Sequence, residues 1–557
     1  MEINKGSGNK KFYFILAGII ACQLVVLMII FGVAKKGWYC DEIYSYGQAD
    51  CENFDRSVGT MVNTWRNGSN FKDYVTVSGN EIWNYGHIYN NLKKDSHPPL
   101  HFYLLHLISS LHPGTFSKWD GFIINALAFI IIQIYLYRLV YEITDKQYTG
   151  ILTCLLFGFS TGAVNMIAYV RMYMLMTSFV VMFIYYSVRL YKANSEIKDI
   201  RKNVICSALA VYGAAMSQYT SMVYMGIMTA GFCLYYLCRK RIKLMFTYGL
   251  SMLAAVAAMI ASFPVLMVQL GNKQQAISGA SAYPYWLEWR ISWHIICNQL
   301  FGFNTPIFAN MVLFWIITVL IAVIIVYSTV RFLVRNEEWF KKYKTRAHSS
   351  LKKAAGYMTG NGMPFVIMSV SALISVYILS GQLKMYYFYP FSDRYMFFLF
   401  PIISAAAVII LQYVLRNKWI MTAAAGVLIV LSLSNGQRIH LMNNDMSGMD
   451  FRTGVSGADV IFIGDMYQRA TPYSPELQDC NKCFVTTQDT YKKNRDKMCS
   501  VKDDGKKIYL IVDKNMFSDY NTDEQTSEIT DFFRDLPVTE KMEEVGSTAN
   551  ATLYRLR

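Results

Sequence analysis

Two adjacent carboxylates, Asp41 and Glu42, follow shortly after the first long apolar segment of the chain. That segment is uncharged from Phe12 to Ala34 and is long enough to cross a bilayer, which takes about 20 apolar residues. Ionisable groups so close to hydrocarbon are costly, so they are candidates for a functional role. Asp41 and Glu42 are therefore candidates for a functional role, unless both are solvated loop residues.

Three possible cations stand beside other apolar segments. His97 precedes two prolines, Arg171 begins an Arg-Met-Tyr sequence, and Arg394 lies in an Asp-Arg-Tyr sequence. A guanidinium can grip phosphate oxygens in a bidentate fork, and histidine titrates near neutral pH. The alternatives are a packing or capping role for the histidine and interfacial anchoring for the arginines. The candidate binding residues therefore include these three and nearby tyrosines, which are alternatively plain interfacial aromatics: Tyr173, Tyr219 and Tyr395.

The composition is that of a polytopic membrane protein. Of 557 residues, 54% are hydrophobic and 16% are charged, whereas soluble chains carry about 25% charge. The net charge of +15 does not indicate a nucleic-acid partner, because the basic excess lies in short loops between apolar segments. This distribution is typical of cytoplasmic loops.

The apolar segments predict eleven transmembrane helices, with the N-terminus in the cytoplasm. In this topology the basic loops fall inside, as expected for a membrane protein. The stretch from Leu100 to Leu111 is too short to cross, and we interpret it as a partly embedded helix at the outer surface. The predicted spans are 12–34, 119–140, 148–168, 172–191, 203–219, 221–238, 244–268, 309–333, 363–382, 395–415 and 419–434.

Two domains are expected. Residues 1–434 form an all-α transmembrane domain with a large first outer loop, 35–118. Residues 435–557 form a small extracytoplasmic α/β domain, because short apolar runs rich in β-branched residues indicate buried strands. The predicted elements are strands at 458–463, 483–487, 507–512 and 551–556 and a helix at 523–536.

The cysteines of the outer regions favour a structural disulfide. Cys480 and Cys483 make half of a zinc site, but no second ligand pair follows at a useful spacing. We therefore expect a disulfide rather than a metal, and the pairing stays open. The residues concerned are Cys40, Cys51, Cys480, Cys483 and Cys499.

The order of these motifs resembles that of the C-type membrane glycosyltransferases. The matching features are Asp41-Glu42 after the first span, His97 before two prolines, Arg171-x-Tyr173, and Asp-Arg394-Tyr before a late span. Within this superfamily the chain is most similar to bacterial relatives of the protein O-mannosyltransferases. It is also similar to the lipid A aminoarabinose transferases, which have Lys-Pro-Pro where this chain has His97-Pro-Pro. The resemblance covers roughly residues 12–415.

The resemblance implies an enzyme that moves a sugar from a polyprenyl-phosphate donor to an acceptor hydroxyl, with inversion. Asp41 would be the general base, while Arg394, Arg171 and His97 would bind the lipid phosphate. No metal and no cofactor are expected, because the second outer loop has no carboxylate beside Arg171. The acceptor (lipid, glycopolymer or protein) and the sugar stay open.

Two other functions fit less well. A transporter or flippase of polyprenyl-linked or other anionic substrates should have ionisable residues near the midplane of broken helices. The span centres of this chain are almost free of charge. A non-catalytic membrane protein with a ligand-binding outer domain would not need Asp41, His97 and Arg394 together. The expected location is the plasma membrane, with several spans and an extracellular C-terminal domain.

Overall fold

The computed structural model describes residues 5–54, 62–193, 196–269, 283–303, 362–385, 391–415, 417–434, 454–500, 506–514, 522–547 and 551–556. Up to residue 434 the chain is mostly helical. Its long helices are α1 (Lys5–Ala34), α6 (Lys118–Thr144), α7 (Gln147–Gly158), α8 (Thr161–Ala168), α9 (Tyr173–Lys192), α10 (Ile197–Ser217), α11 (Ser221–Cys238), α12 (Ile242–Ser262), α13 (Tyr285–Phe301), α14 (Met363–Gln382), α15 (Phe400–Val414) and α16 (Lys418–Ser434). The first loop contributes α2 (Cys40–Asp50), α3 (Gly68–Val75), α4 (Tyr85–Leu92) and α5 (Leu100–Ser109).

The predicted polytopic architecture is confirmed. Among the described residues, seven helices are long and apolar enough to cross a membrane. The α7–α8 pair, bent by 60°, adds an eighth if it counts as one span. The other predicted spans within the described residues also contain helices, namely α10 and α16, but these are not long and apolar enough to count as spans. The predicted span 309–333 lies outside the described residues.

A polar contact inside the membrane part joins α1, α6 and α7. Gln133 donates to the side-chain oxygen of Gln23 at 3.0 Å, and Gln23 donates to the carbonyl of Cys154 at 3.0 Å. Gly158 leaves the space for both amides, because a Cβ there would lie 2.2 Å from Gln23. Buried amides are stable in an apolar region only when they are hydrogen-bonded, so this contact fixes how the three helices pack.

The first loop is a packed structure of short helices. Helix α2 lies against α3, and Gly47 makes this contact possible because the Tyr74 ring occupies the place of its missing Cβ at 2.2 Å. Helix α5 follows the two prolines and has ten residues, in agreement with a segment too short to cross. The short helices α3, α4 and α5 of the loop thereby pack against α2.

Within the described residues, the C-terminal region contributes five strands to a mixed sheet of six. The strand order is β1-β3-β2-β4-β6-β5, with β3, β2 and β4 parallel and the outer pairs antiparallel. Helix α19 (Thr522–Arg534) packs its apolar residues on one face of this sheet. The short helices α17 (Ser474–Leu477) and α18 (Arg495–Met498) lie in the connections. The strands are β1 (Trp65–Asn67), β2 (Asp459–Gly464), β3 (Lys482–Thr487), β4 (Ile508–Asp513), β5 (Glu543–Ser547) and β6 (Ala551–Arg555).

One edge of this sheet comes from the first loop. Strand β1 precedes α3 and pairs with β3, with Trp65 opposite Phe484. Asn63 strengthens the junction, since its side chain binds both the Tyr467 and the Thr486 hydroxyls. The first loop and the C-terminal sheet therefore lie on the same side of the membrane.

The expected disulfide is wrong. None of the eleven cysteines, all of which lie in the described residues, forms a disulfide in the structure, including the five of the predicted outer regions. Cys483 lies on β3 with its side chain buried, and Cys480 is buried in the turn before it. Their burial in the sheet core explains these cysteines as packing residues, a common role for a small apolar side chain.

Candidate active site

Helix α2 begins at the two candidate carboxylates. Asp41 and Glu42 occupy its first turn, where the helix dipole favours negative charge. Glu42 also accepts the backbone N–H of Tyr39 at 2.8 Å, which satisfies a donor at the helix start. Adjacent residues on a helix are rotated by about 100°, so the two carboxylates meet different surroundings.

Glu42 is fully buried and tied to protein groups. Its two oxygens lie 2.9 and 2.7 Å from the Lys35 ammonium. It also accepts the backbone N–H of Val170 at 2.9 Å. Burial raises the pKa of Glu42 against the opposing effect of the Lys35 charge. Glu42 therefore fixes α2 to the end of the first span and to the chain segment before α9.

Asp41 lies on the open side of α2, where 26% of its side chain is exposed. Its Oδ2 atom accepts the Tyr169 hydroxyl at 3.1 Å and is 3.6 Å from Nη2 of Arg394. Burial alone would raise the pKa of Asp41, but the charges of Arg394 and Arg171 lower it. Asp41 is therefore ionised at neutral pH and able to accept a proton.

Arg171 is buried between α2 and the end of the first loop. Its Nη1 donates to the backbone carbonyl of Asp41 at 2.9 Å and to the Ser45 hydroxyl at 2.8 Å. Its Nη2 is 3.1 Å from Nε2 of His97. Within the described residues its Nε has no hydrogen-bond partner. Arg171 thus holds the first turn of α2 and keeps one buried donor unused.

His97 connects Arg171 to a second carboxylate. Its Nδ1 lies 2.7 Å from Oδ2 of Asp95, while its Nε2 faces the guanidinium. A guanidinium only donates, so this pattern assigns the proton to Nδ1 and the accepting lone pair to Nε2. Both ring nitrogens therefore contact protein groups, and the geometry favours His97 as a residue that orients Arg171.

Arg394 lies in a short helical turn whose position is set by the residue before it. Asp393 accepts the Arg394 backbone N–H at 2.8 Å and the Gln299 amide at 2.6 Å. The guanidinium lies over the rings of Tyr39 and Tyr395, 5.4 and 5.1 Å from their centres. Its Nε and Nη1 are buried without a hydrogen-bond partner in the part of the chain that the structure describes. These donors are suited to an anion.

The three predicted tyrosines have different positions. Tyr173 stacks on Tyr169 with ring centres 5.8 Å apart, and Tyr395 lies under the Arg394 guanidinium. Tyr219 does not contact Asp41 or either arginine in the described hydrogen bonds; its hydroxyl donates to Gln269 at 2.7 Å. Gln269 in turn donates to the carbonyl of His97, so Tyr219 supports the site indirectly.

Sequence reasoning missed Tyr169, Tyr39 and Lys35. Tyr169 bonds Asp41, Tyr39 lies under Arg394, and Lys35 neutralises Glu42. Each stands within seven residues of a predicted site residue, which is the only signal that the sequence offered. In the described parts of the chain, no group of three His, Cys, Asp or Glu residues could hold a metal ion.

Residues 96–267 match the family described as dolichyl-phosphate-mannose-protein mannosyltransferase. The matched segment contains His97, Arg171, Tyr173 and Tyr219 and stops before Arg394. This match confirms the predicted resemblance and indicates a glycosyltransferase. None of the curated proteins matches the chain.

Two solved structures are similar to this chain at low identity. One is ArnT from Cupriavidus metallidurans bound to undecaprenyl phosphate, with 10% identity, a TM-score of 0.48, and coverage of 97% of this chain and 98% of that chain. The other is the oligosaccharyltransferase AglB from Archaeoglobus fulgidus in complex with an inhibitory peptide and a dolichol-phosphate. Its identity is 10%, its TM-score is 0.46, and the coverage is 91% and 70%.

Proposed function

We propose that this chain is an inverting membrane glycosyltransferase that uses a sugar donor linked to a polyprenyl phosphate. Asp41 takes the proton from an acceptor hydroxyl, whose oxygen forms a bond to the anomeric carbon. The bond between that carbon and the phosphate oxygen breaks, and polyprenyl phosphate leaves with the electron pair. A phosphate leaves as a stable anion, so a single base is sufficient and no general acid is required.

One observation carries the proposal: the partly exposed carboxylate of Asp41 lies 3.6 Å from the buried guanidinium of Arg394, which has two donors without a hydrogen-bond partner among the described residues. An unpaired buried guanidinium donor is costly, so such donors point to an anion that completes the site. A phosphate fits, because its oxygens accept from a guanidinium in a bidentate manner. Arg394 binds this phosphate and stabilises its developing charge, and Arg171 contributes from the other side of Asp41.

The low pKa of Asp41 is compatible with its role as base. In the free protein the charges of Arg394 and Arg171 lower this pKa. A bound phosphate offsets part of that positive charge, so the pKa of Asp41 rises when the donor is present. The base therefore becomes stronger in the complex, where it is needed.

Glu42 and His97 have supporting roles in this mechanism. Glu42 is saturated by the Lys35 ammonium and two backbone N–H groups, and so positions α2 instead of acting as a base. His97 orients Arg171 through its Nε2 atom. Tyr173, Tyr219 and Tyr395 shape the surroundings of the two arginines, with Tyr219 acting through Gln269.

The site lies on the outer side of the plasma membrane in this proposal. Residues 1–434 form the transmembrane domain, 435–557 the outer domain, and the N-terminus is cytoplasmic. The pairing of β1 with β3 supports a common side for the first loop and the C-terminal sheet. Nucleotide sugars are anionic and do not cross a bilayer unaided, which supports a lipid-linked donor.

The donor is tested with the purified protein. We expect transfer from a polyprenyl monophosphate sugar and none from the matching nucleotide sugar. A panel of polyprenyl monophosphate hexoses and pentoses, followed by detection of released polyprenyl phosphate, identifies the sugar. Efficient transfer from a nucleotide sugar in detergent, with no lipid donor present, would refute the proposal.

The role of Arg394 is tested by Arg394→Ala. We expect kcat/KM for the donor to fall by about 10²-fold or more, because phosphate binding and charge stabilisation are lost together. Arg239 is a matched control, since it also lies over a tyrosine ring, Tyr235 at 5.5 Å, but belongs to a basic loop at the predicted cytoplasmic face. Arg239→Ala should leave kcat/KM close to that of the unchanged protein.

The sidedness is tested by labelling single cysteines in intact cells. Cysteine at Ser527, which is exposed on α19, should react with an impermeant maleimide. Cysteine at Lys198, in a predicted cytoplasmic loop, should react only after lysis. The reverse pattern would place the proposed site in the cytoplasm.

A further inference from the structure

The C-terminal sheet has a polar edge at the ends of its parallel strands. β2, β3 and β4 are in register, so the residues that follow them, Asp465, Gln488 and Lys514, lie along one edge. In open α/β sheets, ligands bind outside this edge, where neighbouring connections leave in opposite directions. Here β2 lies between β3 and β4, so this sheet has such a position at the end of β2.

This edge faces the helix that carries Asp41. The short helical segment Tyr467–Tyr473, which follows β2, packs against α2. Cys40 is the first residue of α2, and its Sγ lies 3.9 Å from Oδ1 of Asp41. A molecule bound at the end of β2 would therefore lie beside the helix whose first turn carries the candidate base.

An ion pair occupies the end of β2. Nε and Nη2 of Arg469 donate to the two carboxylate oxygens of Asp465 at 2.9 and 3.2 Å. The same carboxylate accepts the Met466 backbone N–H at 2.7 Å, which fixes its orientation. Gly464 permits this tight turn, because a Cβ there would lie 3.1 Å from Cβ of Arg469. These hydrogen bonds hold the two side chains together, yet 39% of the arginine and 22% of the aspartate side chain are exposed.

We propose that Asp465 and Arg469 bind the acceptor of the transfer reaction and that this acceptor is a sugar hydroxyl group. This inference rests on the proposed function. A fixed carboxylate–guanidinium pair offers acceptors and donors side by side, which suits the paired hydroxyls of a sugar. Met466, 48% exposed, provides an apolar surface for the C–H face of a sugar ring. The exposed neighbours Gln468, Gln488 and Asp489 are polar and unsuited to an acyl chain.

The test separates acceptor binding from donor use. Arg469→Gln and Asp465→Asn should raise the acceptor KM about 10-fold or more, while polyprenyl phosphate affinity stays unchanged. Slow donor hydrolysis in the absence of acceptor should also stay unchanged. The acceptors are a soluble oligosaccharide, a diglycosyl lipid and a Ser/Thr peptide. If Arg469→Gln raises the KM for the oligosaccharide, the acceptor is a glycan. If Arg469→Gln raises the KM for the diglycosyl lipid alone, the acceptor is the sugar head group of a lipid.

Two controls keep the inference falsifiable. Arg534→Gln removes an exposed arginine paired with Asp531 on α19 of the same sheet domain, and should not change the acceptor KM. The exchanged pair Asp465→Arg/Arg469→Asp should recover thermal stability but not the low KM. Recovery of a low KM by the exchanged pair would show that the ion pair is only structural.

The two proposals fail in different ways. If the unchanged protein transfers no sugar from any polyprenyl monophosphate donor, the proposed function is wrong. If transfer occurs but Arg469→Gln has an unchanged KM for both sugar acceptors, only the acceptor assignment is wrong. The acceptor assignment would also be wrong if the protein transferred sugar only to the peptide and Arg469→Gln did not change the KM for the peptide.

Discussion

The two sides of α2 contain adjacent carboxylates with opposite surroundings. On one side, Glu42 is fully buried and holds the Lys35 ammonium and two backbone N–H groups. On the other side, Asp41 is partly exposed beside a tyrosine hydroxyl and a guanidinium with unused donors. Charge and position in the sequence therefore do not by themselves identify a catalytic base. A base needs an unsaturated oxygen and access to a substrate.

The largest expected effect is that of Asp41→Asn. The substitution keeps the size of the side chain and removes its basicity, so turnover should fall by about 10²-fold or more. Thermal unfolding should stay within a few degrees of the unchanged protein. Glu42→Gln is the matched variant, and it should show the reverse pattern, with lower stability and a smaller loss of turnover per folded molecule.

Near-normal turnover of Asp41→Asn, together with inactivity of a folded Glu42→Gln, would exchange the two assignments. Both variants must therefore be compared at equal amounts of folded protein. Size-exclusion profiles and thermal unfolding in the same detergent supply that measure.

The sequence predicted the polytopic architecture, and it named several residues that the structure brings together near Asp41, but not Tyr169, Tyr39 or Lys35. Long apolar segments with basic loops predict spans by composition alone, and four strands of the C-terminal region follow from short β-branched runs. The resemblance predicts Asp41 as the base, but the burial and pairing of Glu42 were not predictable from the sequence, since part of that pairing is non-local. It depends on Val170, which is 128 residues away from Glu42. The edge strand β1 was also missed, because Trp65–Asn67 is too short to show an alternating pattern.

The second largest effect concerns the buried ion pair. Lys35→Met leaves the Glu42 carboxylate buried without its counter-charge, which typically costs about 3–5 kcal/mol. The double variant Lys35→Met/Glu42→Gln should recover part of this loss, because no charge is buried and the amide oxygen still accepts one of the two backbone N–H groups. The free energy of unfolding in mild detergent measures both. Equal stability of the single and double variants would contradict a structural role for the pair.

An intermediate effect is expected from Gly121→Ala, which touches neither carboxylate. A Cβ at this position would lie 1.8 Å from Cγ1 of Val170, so Val170 must shift. Overpacking costs about 1–3 kcal/mol, and the shift also disturbs the bond from Val170 to Glu42. Turnover should fall severalfold with donor and acceptor alike. Gly226→Ala is the control, since its Cβ meets no atom within 4 Å, and it should be neutral.

The smallest effect is a change in pH dependence caused by Tyr169→Phe. The hydroxyl of Tyr169 donates to Asp41 and lowers its pKa, so its removal raises that pKa. A base works only when ionised, so kcat/KM falls as the pH falls through the pKa of the free protein. In the unchanged protein this fall should occur below the ordinary aspartate value of 3.8. In Tyr169→Phe it should move to higher pH, while turnover at neutral pH should change by no more than about fivefold, the size of one hydrogen bond, because Asp41 stays ionised there. Tyr173→Phe, which keeps the ring stacked on Tyr169, should leave the position of the fall unchanged. If Tyr169→Phe and Tyr173→Phe have the same pH profile, the Tyr169 hydroxyl does not tune Asp41, and the contrast between the two sides of α2 rests on the arginines alone.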